Sequence, residues 1–372
     1  MKRRWLDGPW LPLGLFLITS VVLWLKLGIR HGGDTPLYLA GATTLLRGQP
    51  LSGVANAYAG YMRFVAWHER LGVGEPGLIV TQILLSGLAM LALYDASRRM
   101  AGRVAGFIAA SVYAINVDVL RFNDYVLTDS VFTSGLVLTI YAALRAFDAR
   151  SFHWGTLAVV LALTLATVRM NGWWLLPAVC LFLLLTWIRG RLGLWVAATC
   201  LIVAVAIGGI LLTLRHSGAT SGLGPLLYEG WVIGDDVSSR LPMPDPGPLQ
   251  QPRLSAAPRY LAQHPVACGR LVMTRIGVEL AHVRPFYSRA HNLAIMFVYP
   301  LLYGLAVLGW RRSRREPFAW LCLGLVGLHL SLVGLTCADW DGRFLLMVLP
   351  LVMLWSAVGV AHLAFGRANA RD

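Results

Sequence analysis

The sequence predicts an all-α polytopic membrane protein with about ten transmembrane helices. Hydrophobic residues make up 57% of the 372 residues, and charged residues make up only 13%. A soluble domain with so little charge would expose a largely apolar surface to water. The mean hydropathy of +0.64 indicates the same class of protein. We therefore expect most of the chain to lie in a lipid bilayer, as a single domain over residues 1–372.

Apolar runs long enough to cross a bilayer, about 20 residues each, recur along the chain. They are predicted at 9–29, 77–95, 104–120, 126–146, 155–169, 172–188, 194–214, 292–310, 317–337 and 344–365. No small-residue cleavage site follows the first run, so we expect it to remain as a helix rather than be removed as a signal peptide. The five cysteines form no CxxC pair, so neither a disulfide framework nor a zinc site is predicted.

The distribution of positive charge predicts the orientation of these helices. The formal net charge is +14, and each connection on one predicted side carries at least two Lys or Arg. The short connections on the other side carry one each, namely Arg121, Arg169 and Arg343. Because cytoplasmic loops carry the excess of Lys and Arg, both termini are predicted to be cytoplasmic. Anionic lipid explains this charge better than nucleic acid, since no basic cluster is interleaved with aromatic residues.

Two outer loops, 30–76 and 215–291, are predicted to carry amphipathic helices that lie in the membrane interface. The first loop has one such helix at 36–47 and another at about 54–71, which Gly72 ends. The apolar face of the second helix consists of Tyr58, Tyr61, Met62 and Val65. The longer loop is Pro-rich at first and is predicted to become helical from about Pro265 to His282.

Asp34 is the first candidate for a chemical role. It directly follows the first span, and a carboxylate near a bilayer costs several kcal/mol unless it is used or fully solvated. A helix start follows at once, because Thr35 can cap it, Pro36 suits its first position and Gly48 can close its far end. This placement predicts a reactive group, although a solvated loop residue is the simpler alternative.

The other unusual polar residues also fall at the outer ends of predicted helices. They are Asn123, Asp124, Asp129, Arg169, Asn171, Glu279, His282, Arg284, Asp339, Asp341 and Arg343. If these ends converge, carboxylates and guanidiniums would share one cavity. A carboxylate can act as a general base toward an acceptor hydroxyl, and arginines suit a phosphate leaving group.

Structural roles for these residues remain open on the sequence alone. Asp129 could cap its helix or pair with Arg121, while Arg169 and Arg343 could be anchors that reach lipid headgroups. The loop carboxylates could simply be solvated.

Five motifs occur in a characteristic order along the chain. They are Gly33–Leu39, Tyr125–Phe132, the hairpin Thr167–Gly172, Tyr260–Pro265 before a basic helix, and Gly342–Pro350. Together they resemble the GT-C superfamily of integral-membrane glycosyltransferases, especially bacterial relatives of protein O-mannosyltransferases and of the lipid A aminoarabinose transferase. Two motifs depart from the family pattern, because Gly33 stands where an acidic pair is common and Met170 follows the hairpin arginine where proline is common.

The resemblance implies an inverting transfer of a hexosyl or pentosyl group from a polyprenyl-phosphate donor. The acceptor would be an envelope lipid, glycan or protein at the outer face of a bacterial cytoplasmic membrane. By the same resemblance, Asp34 is the catalytic base, while Asp124, Asp129 and Tyr38 position substrate. Arg169, Arg343 and Arg284 are implied to bind the donor phosphate. No cofactor is specified, and participation of a divalent metal ion is left open.

Two other functions compete with this one. An O-antigen polymerase or ligase would also be multi-spanning with a large outer loop, but would use a diphosphate-linked donor. A flippase or transporter would place charges at the bilayer midplane on broken helices. The sequence has few such charges and no inverted repeat, which disfavours transport. The sugar, the acceptor, the oligomeric state and the choice between Asp124 and Asp129 are not specified.

Overall fold

Helices form all of the regular structure in the part of the chain that the structure describes. This is a computed structural model, and it describes residues 8–170, 172–187, 226–234, 236–246 and 257–365. Two isolated bridges, Arg30 with Tyr125 and Ile233 with Ala338, join extended residues within these ranges. The predicted all-α class is therefore confirmed.

Thirteen α-helices are numbered here in chain order. They are α1 (Trp10–Leu27), α2 (Thr35–Leu46), α3 (Ala59–Arg70), α4 (Gly74–Ile115), α5 (Val117–Leu120), α6 (Thr128–Ala149), α7 (Phe152–Val168), α8 (Gly172–Trp187), α9 (Ala257–Gln263), α10 (Pro265–Ala281), α11 (Arg289–Ser313), α12 (Pro317–Leu335) and α13 (Arg343–Phe365). Short 3₁₀ helices at Gly53–Tyr58, Arg121–Asp124 and Val237–Ser239 complete the described elements.

Six of these helices are long and apolar enough to cross a membrane: α1, α4, α6, α11, α12 and α13. The apolar helices α7 and α8 are shorter, with 17 and 16 residues. The predicted span 194–214 lies outside the described residues, as do Asn171 and the basic residues of both termini. The polytopic class is thus confirmed, while the count of ten spans stays a prediction.

Helix α4 is a hairpin of two antiparallel halves, so it accounts for two of the predicted spans. The backbone leaves the helical region at Ala101 and Gly102, and Gly102 has a φ of +82° that favours glycine. The hydroxyls of Ser86 and Tyr113 lie 2.9 Å apart although 27 positions separate them in the sequence. The second half ends at Ile115, earlier than the predicted 120, because Asn116 accepts the N–H of Val119 and begins α5.

Helix α13 lies at the centre of the bundle, where it packs against α4, α6, α11 and α12. Most of its side chains are buried, in contrast to those of α1 and α11. At Gly309 and Gly359 the backbones of α11 and α13 approach so closely that no Cβ would fit between them. Small residues allow such contact between membrane helices. These contacts hold the second half of α13 against α11.

The two predicted surface helices of the first outer loop are present as α2 and α3. The cap of α2 is Asp34 rather than Thr35, and Gly48 follows its end with a φ of +72°. In α3 the predicted apolar residues Tyr61, Met62 and Val65 are buried, where α3 packs on α2, α4 and α7. Their placement in the membrane interface stays a prediction. In the longer loop, α10 ends at Ala281, with His282 as its C-cap, and packs on α12.

Candidate functional site

Hydrogen bonds join the segment after α1 to the segment before α6. The N–H of Arg30 donates to the carbonyl of Asp124 at 2.8 Å, and the N–H of Val126 donates to the carbonyl of Arg30 at 3.0 Å. The hydroxyl of Thr35 then donates to the carbonyl of Val126 at 3.0 Å. These bonds hold Asp34, at the start of α2, beside the first turn of α6.

A buried ion pair joins the start of α6 to the end of α7. Nη1 of Arg169 donates to Oδ1 of Asp129 at 3.0 Å and to the hydroxyl of Thr128 at 2.9 Å. The side chains of Asp129 and Arg169 are only 4% and 8% exposed. The other partner considered for Asp129, Arg121, instead pairs with Asp341 at 2.9 Å. Asp129 is therefore held by Arg169.

Arg343, the first residue of α13, brings the acidic residues together. Its Nη1 lies 2.9 Å from Oδ2 of Asp34 and 3.9 Å from Oδ2 of Asp129. Its Nε donates to Oδ1 of Asp339 at 2.8 Å. We call Asp34, Asp129, Arg169, Asp339 and Arg343 the ionic cluster. Four of its members were predicted site residues, and they come from four separate parts of the chain.

Asp34 is the most accessible carboxylate of the ionic cluster. Its side chain is 42% exposed, whereas that of Asp339 is 11% exposed. Its carboxylate makes no capping hydrogen bond to α2. Asp129 lies deeper, and its Oδ2 accepts no hydrogen bond from a described residue. A molecule that enters from outside would therefore meet Asp34 before the buried pair.

Aromatic rings line the cluster. Tyr38 is buried, and its ring contacts that of Tyr58 edge-on at 5.4 Å between centroids. Burial raises the pKa of Tyr38 well above its ordinary value, although Arg169 opposes this shift. The phenol therefore stays neutral at physiological pH. The ring of Phe344 lies 5.3 Å from the guanidinium carbon of Arg169 and 5.8 Å from that of Arg343.

The sequence and the fold were both compared with known proteins. Residues 64–208 match the family model of dolichyl-phosphate-mannose-protein mannosyltransferases. The solved structure of the oligosaccharyltransferase AglB from Archaeoglobus fulgidus, in complex with an inhibitory peptide and a dolichol-phosphate, matches with a TM-score of 0.53 at 12% identity, over 98% of this chain and 52% of that chain. The apo crystal structure of the Archaeoglobus fulgidus oligosaccharyltransferase also gives 0.53 and 12%, over 99% and 53%. No curated protein matches the sequence significantly.

The family model covers less than half of the chain, and the two solved structures share its fold. The matched family segment contains Asp129 and Arg169, whereas Asp34 and Arg343 lie outside it. The chain spans about half the length of the two archaeal proteins.

Arg284, a predicted phosphate ligand, lies outside the ionic cluster. Its side chain is fully buried, 3.5 Å from the carboxylate of Glu279. All of its nitrogens donate to backbone carbonyls, those of Val278, Val283, Asp339 and Trp340. No donor is left for a phosphate, so the ionic cluster contains two of the three arginines predicted to bind phosphate. Arg284 instead holds the loop that precedes α13.

Asp124, the other carboxylate predicted to position substrate, is also apart from the cluster. It is buried, it makes no ion pair with a described residue, and its Oδ1 accepts no hydrogen bond there. Burial raises the pKa of Asp124 to about 6, because the charged form is poorly solvated. Of the two carboxylates, the structure brings Asp129 and not Asp124 into the ionic cluster.

We expect Asp124→Asn to stabilise the protein at pH 8 by about 1–3 kcal/mol, the cost of an unsatisfied buried polar group. Since the raised pKa opposes ionisation in the folded state, the contribution of Asp124 to wild-type stability is greatest below pH 4 and falls as the pH rises through about 6. The gain should therefore shrink as the pH is lowered from 8 to 4. Thermal unfolding of both proteins in detergent at several pH values measures this difference in stability. A variant that is less stable at pH 8 would contradict this expectation.

Asp339 is a cluster member that was predicted to lie at the outer end of a helix, but it was given no catalytic, positioning or phosphate-binding role. Its carboxylate accepts the N–H of Asp341 at 2.8 Å as well as Nε of Arg343. The signal that could have revealed it is its spacing, since an acid four residues before an arginine at a helix start can both cap the helix and pair with that arginine.

The described residues contain no group of three or more His, Cys, Asp or Glu side chains placed to hold a metal ion. Cys180, Cys268 and Cys322 are free cysteines, while Cys200 lies outside the described residues.

Proposed function

We propose that this chain is a GT-C glycosyltransferase, which transfers a sugar from a polyprenyl-phosphate donor to an acceptor hydroxyl at the outer face of a bacterial cytoplasmic membrane. The observation that carries the proposal is the contact of 2.9 Å between Asp34 and Arg343. It places an accessible carboxylate next to a guanidinium whose Nε donates a hydrogen bond to Asp339. A base for the acceptor and a binding group for the leaving phosphate are thus adjacent.

Binding of the donor would release Asp34 from Arg343. The donor phosphate competes with the Asp34 carboxylate for Nη1 of Arg343, while Asp339 keeps Nε in place. Arginine is well suited to this exchange, because its guanidinium presents several donors in one plane. Asp34 then becomes free to accept a proton. The site therefore favours a sequence in which the donor binds before the acceptor is deprotonated.

The transfer itself needs one proton acceptor and one anion-binding group. Asp34 removes the proton from the acceptor hydroxyl as its oxygen forms a bond to the anomeric carbon. The bond between that carbon and the phosphate oxygen breaks on the opposite face, so the configuration inverts. The bonding electrons leave with polyprenyl phosphate, whose added charge is stabilised by Arg169 and Arg343. Asp129 orients Arg169 for this role. The neutral phenol of Tyr38 is near enough to Arg169 to feel its charge.

The charge of the ionic cluster favours a phosphate over a diphosphate donor. Three carboxylates and two guanidiniums give the cluster a formal charge of −1. Each arginine is already paired, so little positive charge is in excess. A sugar phosphodiester carries one negative charge and can replace a single carboxylate at Arg343. A diphosphate donor carries more than one negative charge, so replacing the single carboxylate of Asp34 at Arg343 would leave negative charge unpaired.

Charge at the other end of the bundle supports the outer placement of the site. There, Asp95 accepts hydrogen bonds from Arg98 and Arg99, and Arg99 also reaches Asp148. Asp148 is near the end of α6, 19 positions after Asp129, so the two residues are about 30 Å apart along the helix. Since Lys and Arg concentrate on the cytoplasmic side, the ionic cluster would face outward.

The test compares donors in proteoliposomes that contain the purified protein and an extract of envelope acceptors. One radiolabelled sugar is supplied on a polyprenyl monophosphate or on a polyprenyl diphosphate, with the Asp34→Asn protein as the inactive control. We expect wild-type protein to link the label to acceptor from the monophosphate donor.

Preferential use of the diphosphate donor would contradict the proposal and favour the polymerase or ligase alternative. Saturable movement of the labelled lipid without a glycosidic product would contradict it in favour of a transporter.

A further inference from the structure

Helix α10 of the long outer loop ends with a buried acid that contacts the start of α13. The side chain of Glu279 is fully buried. Its Oε2 accepts the N–H of Asp339 at 3.1 Å, and its Oε1 accepts the N–H of Leu345 at 2.8 Å. These two amides lie on either side of Arg343 in the chain. One carboxylate from the outer loop therefore holds both flanks of the residue that faces the donor phosphate.

Arg284 holds the same loop through its carbonyl groups. Its Nη2 donates to the carbonyl of Asp339 at 3.0 Å, and its Nε donates to that of Trp340 at 2.9 Å. Because Nη2 also lies 3.5 Å from Glu279, the two charges compensate each other inside the protein. Glu279 thus accepts hydrogen bonds from backbone N–H groups of the loop, and Arg284 donates hydrogen bonds to its backbone carbonyls.

The loop has no room to shift toward α10. Gly342 has a φ of +66°, and a Cβ at this position would collide with the ring of His282 at the end of α10. The position of Arg343 then follows from a chain of contacts. Glu279 fixes the backbone of Asp339, and the carboxylate of Asp339 accepts Nε of Arg343 at 2.8 Å.

We propose that Glu279 is a positioning residue that sets the reach of the Arg343 guanidinium toward the donor phosphate. The outer-loop helix α10 is thereby a part of the transfer machinery, although it does not touch the reacting atoms. This inference rests on the proposed function, in which Arg343 binds the phosphate. Two carboxylate oxygens are needed, because the amide nitrogen of a glutamine would point a donor at one of the two N–H groups.

The test is Glu279→Gln, with Glu69→Gln as a matched control at an exposed outer position. We expect the control to transfer sugar as the wild type does. We expect Glu279→Gln to lower kcat/KM on the order of 100-fold, as a displacement of about 1 Å at a reacting group can do. Hydrogen–deuterium exchange should accelerate at the amides of Asp339 and Leu345.

A double-mutant cycle separates positioning from general destabilisation. If Glu279 acts through Arg343, adding Glu279→Gln to Arg343→Lys should lower transfer no further. Loss by the same factor in both backgrounds would overturn the proposal, as would unchanged transfer in the single variant. Should Glu279→Gln not accumulate as folded protein, Asp339→Asn tests the same path, with the same loss and the same non-additivity expected.

Hydrogen–deuterium exchange also tests this inference independently of the proposed function. If wild-type protein transfers no sugar, the proposed function fails, and accelerated exchange in Glu279→Gln would still establish the contact. Unchanged exchange at both amides would overturn the inference whether or not the protein transfers sugar.

Discussion

Asp34→Asn is expected to reduce sugar transfer by about 10²–10⁴-fold, the usual contribution of a general base. Stability should change little, because the carboxylate is 42% exposed and does not cap α2. The KM for the donor should not rise, since the variant removes the group that competes with phosphate for Arg343. A fall in kcat without a rise in KM indicates an interaction that matters in the transition state.

Initial rates in proteoliposomes with matched protein amounts measure this effect. Asp148→Asn makes the same chemical change at the opposite end of α6 and serves as the control, with wild-type rates expected. Undiminished transfer by Asp34→Asn would remove Asp34 from the mechanism. A large rise in donor KM at unchanged kcat would mean that Asp34 binds the donor instead of activating the acceptor.

Arg169→Gln is expected to have the largest effect on stability. It leaves the carboxylate of Asp129, which is 4% exposed, without its partner. Removing one member of a buried ion pair typically costs about 3–5 kcal/mol, because the other charge stays buried and uncompensated. The double variant Arg169→Gln with Asp129→Asn should regain much of this loss, since it buries no unpaired charge. Neither variant should transfer sugar at the wild-type rate.

Thermal unfolding of the purified proteins in one detergent gives the comparison. Arg63→Gln, on the exposed side of α3, serves as the control and should unfold with the wild type. If the double variant is no more stable than Arg169→Gln alone, the loss does not come from an unpaired Asp129. A fully active double variant would remove this pair from the proposed mechanism.

Much of the fold could be predicted because it depends on local patterns. Apolar runs gave the helices, and Gly48 and Gly72 ended the surface helices where positive φ angles are found. The antiparallel hairpin within α4 followed from the basic residues between its two predicted spans. Placing polar residues at helix ends also predicted that Asp34, Asp129, Arg169 and Arg343 share one face of the bundle.

The pairing within that face could not be predicted, because it depends on contacts between distant segments. Asp129 pairs with Arg169 rather than Arg121, since α7 returns beside α6. Arg284 was also predicted to bind the donor phosphate, but its side chain is buried and its nitrogens donate to four backbone carbonyls. A sequence pattern gives the end of the bundle at which a residue lies, not the direction of its side chain.

The central claim is that the chain breaks the bond between a sugar and a polyprenyl phosphate and links that sugar to an acceptor. The most direct measurement is to quantify both products in proteoliposomes supplied with a polyprenyl-phosphate sugar. We predict that wild-type protein releases one polyprenyl phosphate for each sugar linked, with inverted configuration, and that Asp34→Asn releases almost none. Release of polyprenyl phosphate without any new glycosidic bond, or equal release by both proteins, would contradict the claim.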